Sequence, residues 1–123
     1  MRITQIKLAG AYVIEPERIE DERGYFSRIF CSDELQKAGL EFNIAQASIS
    51  FNKKKGTIRG MHFQKEPKAE KKLVQCIRGA VYDVAVDVRF GSPTYGQWHA
   101  EELNDKNKKM FFIPNGFAHG FQT

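Results

Sequence analysis

Cysteine is scarce in this sequence, and long apolar runs are missing. Only Cys31 and Cys76 occur among 123 residues, with no Cys-x-x-Cys spacing. That excludes a disulfide framework, and both thiols are expected as reduced, inert small hydrophobes. No stretch approaches the ~18 apolar residues of a membrane span. Met1 to Lys7 leads into no apolar segment with a small-residue cleavage site. The expectation is a cytoplasmic chain that does not enter a membrane. Internal repeats, low-complexity tracts and Pro/Gly/Ser linkers are absent too, so residues 1–123 are read as one domain.

Charge of one sign is only mildly in excess: 19 Lys+Arg oppose 15 Asp+Glu, a net +4. The basic runs Lys53-Lys54-Lys55, Lys65 to Lys72 and Lys106 to Lys109 are interleaved with turn residues and read as solvated loops. Neither zinc-finger spacing nor an RNP-type aromatic motif accompanies them, so nucleic acid is not the expected partner. A basic surface equally steers a phosphorylated small molecule. Histidine is also rare, and the position two beyond His62 is Gln64. The closely spaced paired histidines of a first-row-metal site are therefore lacking, and no metal is expected.

What is present is mostly a period of two. Ala11 to Glu15 and Tyr25 to Phe30 read as short strands, the second after the turn Asp21-Glu22-Arg23-Gly24. Ser32 to Ala38 reads as the one helix, with Ser32 as cap, Asp33 and Glu34 in the first turn and Gly39 as the stop. Gln46, Ser48, Ser50 and Asn52 alternate with Ala47, Ile49 and Phe51, the pattern of a strand with one wet face. Such a face is either solvated or, in a small barrel or jelly roll, the lining of a ligand cavity. Thr57 to Gln64 is strand-like again. Simple alternation sets Arg59 and His62 on opposite faces, unless Gly60 marks a bulge that brings both to one side.

Lys72 to Ile77 and Val81 to Val88 read as a strand pair joined at Arg78-Gly79, with Asp83 and Asp87 either solvent-facing or paired. Gln97 to Leu103 and Met110 to Ile113 follow as strands, the latter ended by Pro114. In Pro114-Asn115-Gly116-Phe117-Ala118-His119-Gly120, a proline and two glycines frame a rigidly presented histidine. A strand starting at Gly120 would be cut short, which suggests part of something longer. His99 is expected on an exposed strand with no special role.

Proton abstraction beside a carbonyl needs a base, a group that steadies the enolate oxygen, and an acid for the opposite face. His62 suits the first task. Lys72, expected on the adjoining strand, suits the second.

Six segments in order, Asp21-Glu22-Arg23-Gly24-Tyr25-Phe26, Arg59-Gly60-Met61-His62-Phe63-Gln64, Lys72-Leu73-Val74, Gly79-Ala80-Val81-Tyr82-Asp83-Val84, Ser92-Pro93-Thr94-Tyr95-Gly96-Gln97-Trp98 and Pro114-Asn115-Gly116-Phe117-Ala118-His119-Gly120-Phe121, span nearly the whole chain. Together they closely resemble the nucleotide-sugar 3,5-epimerases of the rhamnose pathway. The resemblance implies an all-β cupin-type jelly roll with one short helix, incomplete at its C-terminal end. It implies a homodimer without cofactor that acts on dTDP-4-dehydro-6-deoxyglucose, a dTDP-4-keto-6-deoxy sugar. By motif position His62 is similar to the family's base and Lys72 to its enolate-stabilising residue. Arg59 and His119 match further substrate contacts, and Gln46 and Ser48 are read with them. Arg23 and Phe26 match arm residues that hold the nucleotide, and arginine's planar fork suits phosphate oxygens.

Two positions depart from the family pattern. Arg28 stands where a glutamate is common, and Ser48 where asparagine is common; both are kept as candidate substrate contacts. The resemblance also implies that the proton-donating tyrosine, and the aspartate that pairs with the base, lie beyond Thr123. An isolated 123-residue chain is accordingly expected to be weakly active or inactive. The competing readings are a non-catalytic sugar-nucleotide-binding module, an epimerase of C3 alone, and a metal-dependent cupin enzyme.

Overall fold

A computed structural model describes all residues 1–123. The elements, in chain order, are β1 (Arg2–Gln5), β2 (Tyr12–Glu15), β3 (Arg18–Asp21), β4 (Gly24–Ser27), α1 (Ser32–Lys37), β5 (Ile58–His62), β6 (Lys72–Gln75), β7 (Ala80–Asp87), β8 (Trp98–Asn104), β9 (Met110–Ile113) and β10 (Phe117–Gln122). They form two four-stranded sheets, β1-β2-β9-β6 and β5-β10-β7-β8, and the separate hairpin β3-β4. Every pairing is antiparallel.

Alternation explains how the sheets stack. In β9, Phe111 and Ile113 turn inward to Ala85, Leu103 and Phe117 of the other sheet. Met110 and Phe112 turn outward, against Leu35 of α1 and Leu40 just after it. One strand thus supplies both layers, and burial of side chains this size stabilises by roughly 1.5–3 kcal/mol each. Helix α1 ends as expected, with Gly39 in the left-handed region at φ 78. Its N-cap, however, is Cys31, with extended dihedrals and no side-chain cap bond; Ser32 is already helical. Glu34 instead accepts a hydrogen bond from the Met1 ammonium at 2.6 Å.

Three expectations about strands are corrected. The segments around β6 and β7 do not pair: β6 lies beside β9, and β7 between β8 and β10. The Arg78-Gly79 connection crosses between sheets and is pinned by the Gly79 N–H donating to Asp105 at 2.9 Å. Residues 46–52 form no strand, since no neighbouring strand satisfies their backbone, and Ile49 and Phe51 are left 81% and 74% exposed. The last strand begins at Phe117, not Gly120, and pairs on both sides.

The end of β7 is held by a buried polar clasp. Asp87 is fully buried, and its carboxylate accepts from Arg89 at 2.8 and 3.0 Å, from Ser92 at 2.6 Å and from Thr94 at 2.6 Å. Arg89 also donates to the Ala9 carbonyl at 2.7 Å and lies over the Phe117 ring. Burial pushes the Asp87 carboxyl up, but the Arg89 guanidinium and the two hydroxyls outweigh it and hold it far below the usual carboxylate range. A depressed folded value means stability that is present above about pH 4 and is lost as pH falls below it. Asp87→Asn is expected to destabilise by about 2–4 kcal/mol and to flatten the acid side of the stability–pH curve. Urea unfolding between pH 2 and 7 measures both.

Candidate active site

The site is built where β5 and β10 run side by side. Register pairs His119 with His62 and Phe121 with Arg59, so β5 uses one residue more than β10 between these pairs. That extra residue is a bulge at Gly60, so of the two placements the sequence left open the structure takes the bulged one. It sets Arg59 and His62 on the same face as His119 and Phe121. The same face of β7 carries Asp83, Ala85 and Asp87, all fully buried. This is the inner face, because Ala85 and Phe117 belong to the core shared by the two sheets.

His119 is 11% exposed, and its Nε2 lies 2.9 and 3.0 Å from the two Asp83 oxygens. With the carboxylate as acceptor, the proton of this bond belongs on Nε2. Asp83 is the site residue that the sequence reading left unassigned. Its sharing a face with Ala85 was legible from alternation, but not that this face is the inner one, and its partner lies 36 residues away. His62, by contrast, is exposed and makes no side-chain hydrogen bond among those formed by the chain.

Lys72 faces the same interior from the other side. It pairs with Ile113 and shares a face with Val74, which packs on the core. Its Nζ lies 3.3 Å from Glu70, with the side chain 26% exposed. Lys72 and His62 are thus on facing sheets, not on adjoining strands as the sequence implied.

The remaining candidates are not gathered here. Gln46 and Ser48 lie in the exposed segment before β5, and Gln46 lines an open cleft of about 760 Å³ together with Gln64, Glu70 and Asn115. Arg23 sits in the β3-β4 turn, where it donates to Asp21 at 2.6 and 3.2 Å; these bonds lower the Asp21 carboxyl. Phe26 on β4 is 64% exposed and lines a smaller cavity with Tyr25, Gln75 and Lys108. Arg28 reaches Glu34 at 3.5 Å, beside the Met1 ammonium. His99 is not exposed: it is half-buried against Glu101 and Phe111. No three His, Cys, Asp or Glu side chains are grouped as metal ligands, and no helix is long and apolar enough to cross a membrane.

Two packed antiparallel sheets with polar residues turned into the space between them make this a cupin-type jelly roll. The chain belongs to the dTDP-4-dehydrorhamnose 3,5-epimerase family, whose sequence profile matches residues 5–123. A curated relative of that name from Sinorhizobium fredii is 46% identical over 123 residues, all of this chain and 63% of its own length. A crystal structure of the epimerase from Bacillus anthracis with TDP and PPi bound has a TM-score of 0.96 at 40% identity, covering 99% of this chain and 70% of that one. The Legionella pneumophila enzyme in complex with dTDP-4-keto-L-rhamnose has a TM-score of 0.82 at 39% identity, covering 99% and 64%. The chain spans a little under two thirds of such curated relatives, 63% for the first.

Proposed function

We propose that this protein is a dTDP-4-dehydrorhamnose 3,5-epimerase, converting dTDP-4-dehydro-6-deoxy-D-glucose to dTDP-4-dehydro-L-rhamnose. The observation that carries the reading is the inner face itself: His62 directly opposite the Asp83-bonded His119, with Lys72 projecting from the facing sheet. In this reading the C4 ketone acidifies C3–H and C5–H. His62 removes the proton, the Lys72 ammonium stabilises the enolate oxygen, and Arg59 and His119 contact the substrate. Return of a proton from the opposite face inverts the carbon. The nucleotide is held by Gln46, Ser48 and, from a partner in a homodimer, the hairpin residues Arg23 and Phe26 with Arg28 just beyond the hairpin. The exposed Phe26 supports that arm. We place the protein in the cytoplasm and take residues 1–123 as one cupin domain unit.

One observation favours a second reading. His62 has no hydrogen-bond partner to orient its ring, and general base and acid steps are each worth ~10²–10⁴-fold. Sugar-nucleotide binding without turnover is the function that remains when the base is not oriented. Incubation with dTDP-4-dehydro-6-deoxyglucose in deuterated buffer, with calorimetry of dTDP binding, separates the two. Deuterium at C3 and C5 supports the 3,5-epimerase, and deuterium at C3 alone supports an epimerase of that centre. Binding without exchange supports the module, and neither binding nor exchange overturns both readings.

A further inference from the structure

Behind His119 lies a second polar cluster that the proposed reaction does not use. The register partner of Asp83 across the β7-β8 pair is Glu101. Two carboxylates therefore occupy directly opposed positions on one face, with Cβ atoms roughly 5 Å apart, a placement that is destabilising for like charges unless each has its own cation. Glu101 is 15% exposed, and Lys109 donates to its Oε1 at 2.6 Å while a His99 ring nitrogen stands 3.2 Å from Oε2. Burial raises the Glu101 carboxyl, but Lys109 and then His99 outweigh it, so Glu101 is held ionised. The His99 ring meets the Phe111 ring edge-on at 5.7 Å, which seats the cluster in the core.

We propose that Glu101 is a positioning residue for His119, acting through Asp83; this rests on the reading of His119 as a substrate contact. Lys109 and His99 draw the Glu101 carboxylate toward the β9 side. Its negative charge repels the Asp83 carboxylate toward β10, where the His119 Nε2–H is its donor. The two negative charges add at the imidazole and fix the proton on Nε2, which orients the ring and leaves Nδ1 as its other polar atom. The other charged or titratable groups directed to this face are Asp87 from β7, paired with Arg89, His62 and Arg59 from β5, and Lys72 from the opposite sheet.

The test is nitrogen-15 NMR of the histidine-labelled chain, with the His119 signal assigned by its loss in His119→Gln. In Glu101→Gln the hydrogen-bonded Nε2 proton is expected to exchange with water about fivefold to tenfold faster, since the bond to a charged acceptor is weakened. Lys109→Gln leaves the Glu101 charge less compensated and is expected to slow that exchange, a change of opposite sign that also decides the matter if Glu101→Gln does not fold. Glu102→Gln, on the outer face of β8, is expected to leave it unchanged. A His119 proton indifferent to both inner substitutions, or equally sensitive to Glu102→Gln, overturns the proposal. The readout is independent of turnover, so failure of the catalytic reading shows separately in the deuterium experiment.

Discussion

Gly120→Ala is expected to destabilise the chain by about 3 kcal/mol, near the upper end for overpacking a site. At the bulge, β5 and β10 touch backbone to backbone. A Cβ on Gly120 would stand 2.7 Å from the Arg59 carbonyl oxygen and 2.8 Å from the Met61 sulfur. A Cβ on Gly60 would stand 2.6 Å from the His119 carbonyl oxygen and 2.7 Å from Gly120 Cα. Most of these atoms are main chain, so rotamer changes do not relieve the clash; the strands must separate. Gly60 also holds φ at 102, so alanine there adds roughly 1–2 kcal/mol of backbone strain and the loss is larger still. Gly79→Ala is the control, because its φ is 80 but nothing lies within 4 Å of the added carbon. Urea unfolding should rank the losses Gly60→Ala, Gly120→Ala, Gly79→Ala. A Gly120→Ala loss no greater than that of the control would show that close approach does not fix the crossing.

The same crossing marks how far the sequence could be read. Gly60 inside a strand pattern offered a bulge as the alternative to simple alternation, because only an unpaired extra residue reconciles Arg59 and His62 on one face; the choice between the two needed the register. The bounds of β9 were legible because four apolar residues lie between Lys109 and Pro114, and the stop of α1 because Gly39 takes a left-handed turn. Pairing was not legible. The segments at β6 and β7 are both apolar and separated by a two-residue turn signal, a local pattern that a hairpin and a crossover between sheets share. Residues 46–52 make the complementary point. Their alternation is what a strand needs on its faces, but a strand also needs a neighbour for its N–H and C=O groups, and sequence alternation carries no information about that neighbour.

The polar interior was legible only in part for a related reason. Motif position singled out His62, Lys72, Arg59 and His119, and the sheets do bring all four to one inner space. Asp83 escaped because a carboxylate in a β-strand reads the same whether it faces water or a histidine from a distant strand. Glu101 and Lys109 escaped more thoroughly. Lys109 sits in a basic run that reads as solvated loop, yet its ammonium turns inward to Glu101 at 2.6 Å. The charge count of a segment does not reveal which member of it folds back.

His62→Asn is the substitution expected to have the largest effect on chemistry, lowering deuterium exchange at C3 and C5 by about 10²–10⁴-fold relative to the unsubstituted chain. Asparagine keeps polarity and approximate size at an exposed position, so the fold and the β5-β10 register should persist. It cannot accept a proton near neutral pH. His119→Asn removes a ring that is tied to Asp83, leaves a fully buried carboxylate without its partner, and is therefore expected to reduce stability as well as binding. The two histidines thus separate by phenotype: loss of exchange with intact dTDP affinity and unfolding midpoint for His62, loss of both affinity and stability for His119. Equal exchange rates in His62→Asn and the unsubstituted chain would remove His62 from the role of base. Lys72→Met supplies the third corner. It should retain the fold and lose exchange, since an enolate formed between the sheets would then lack the ammonium that faces it.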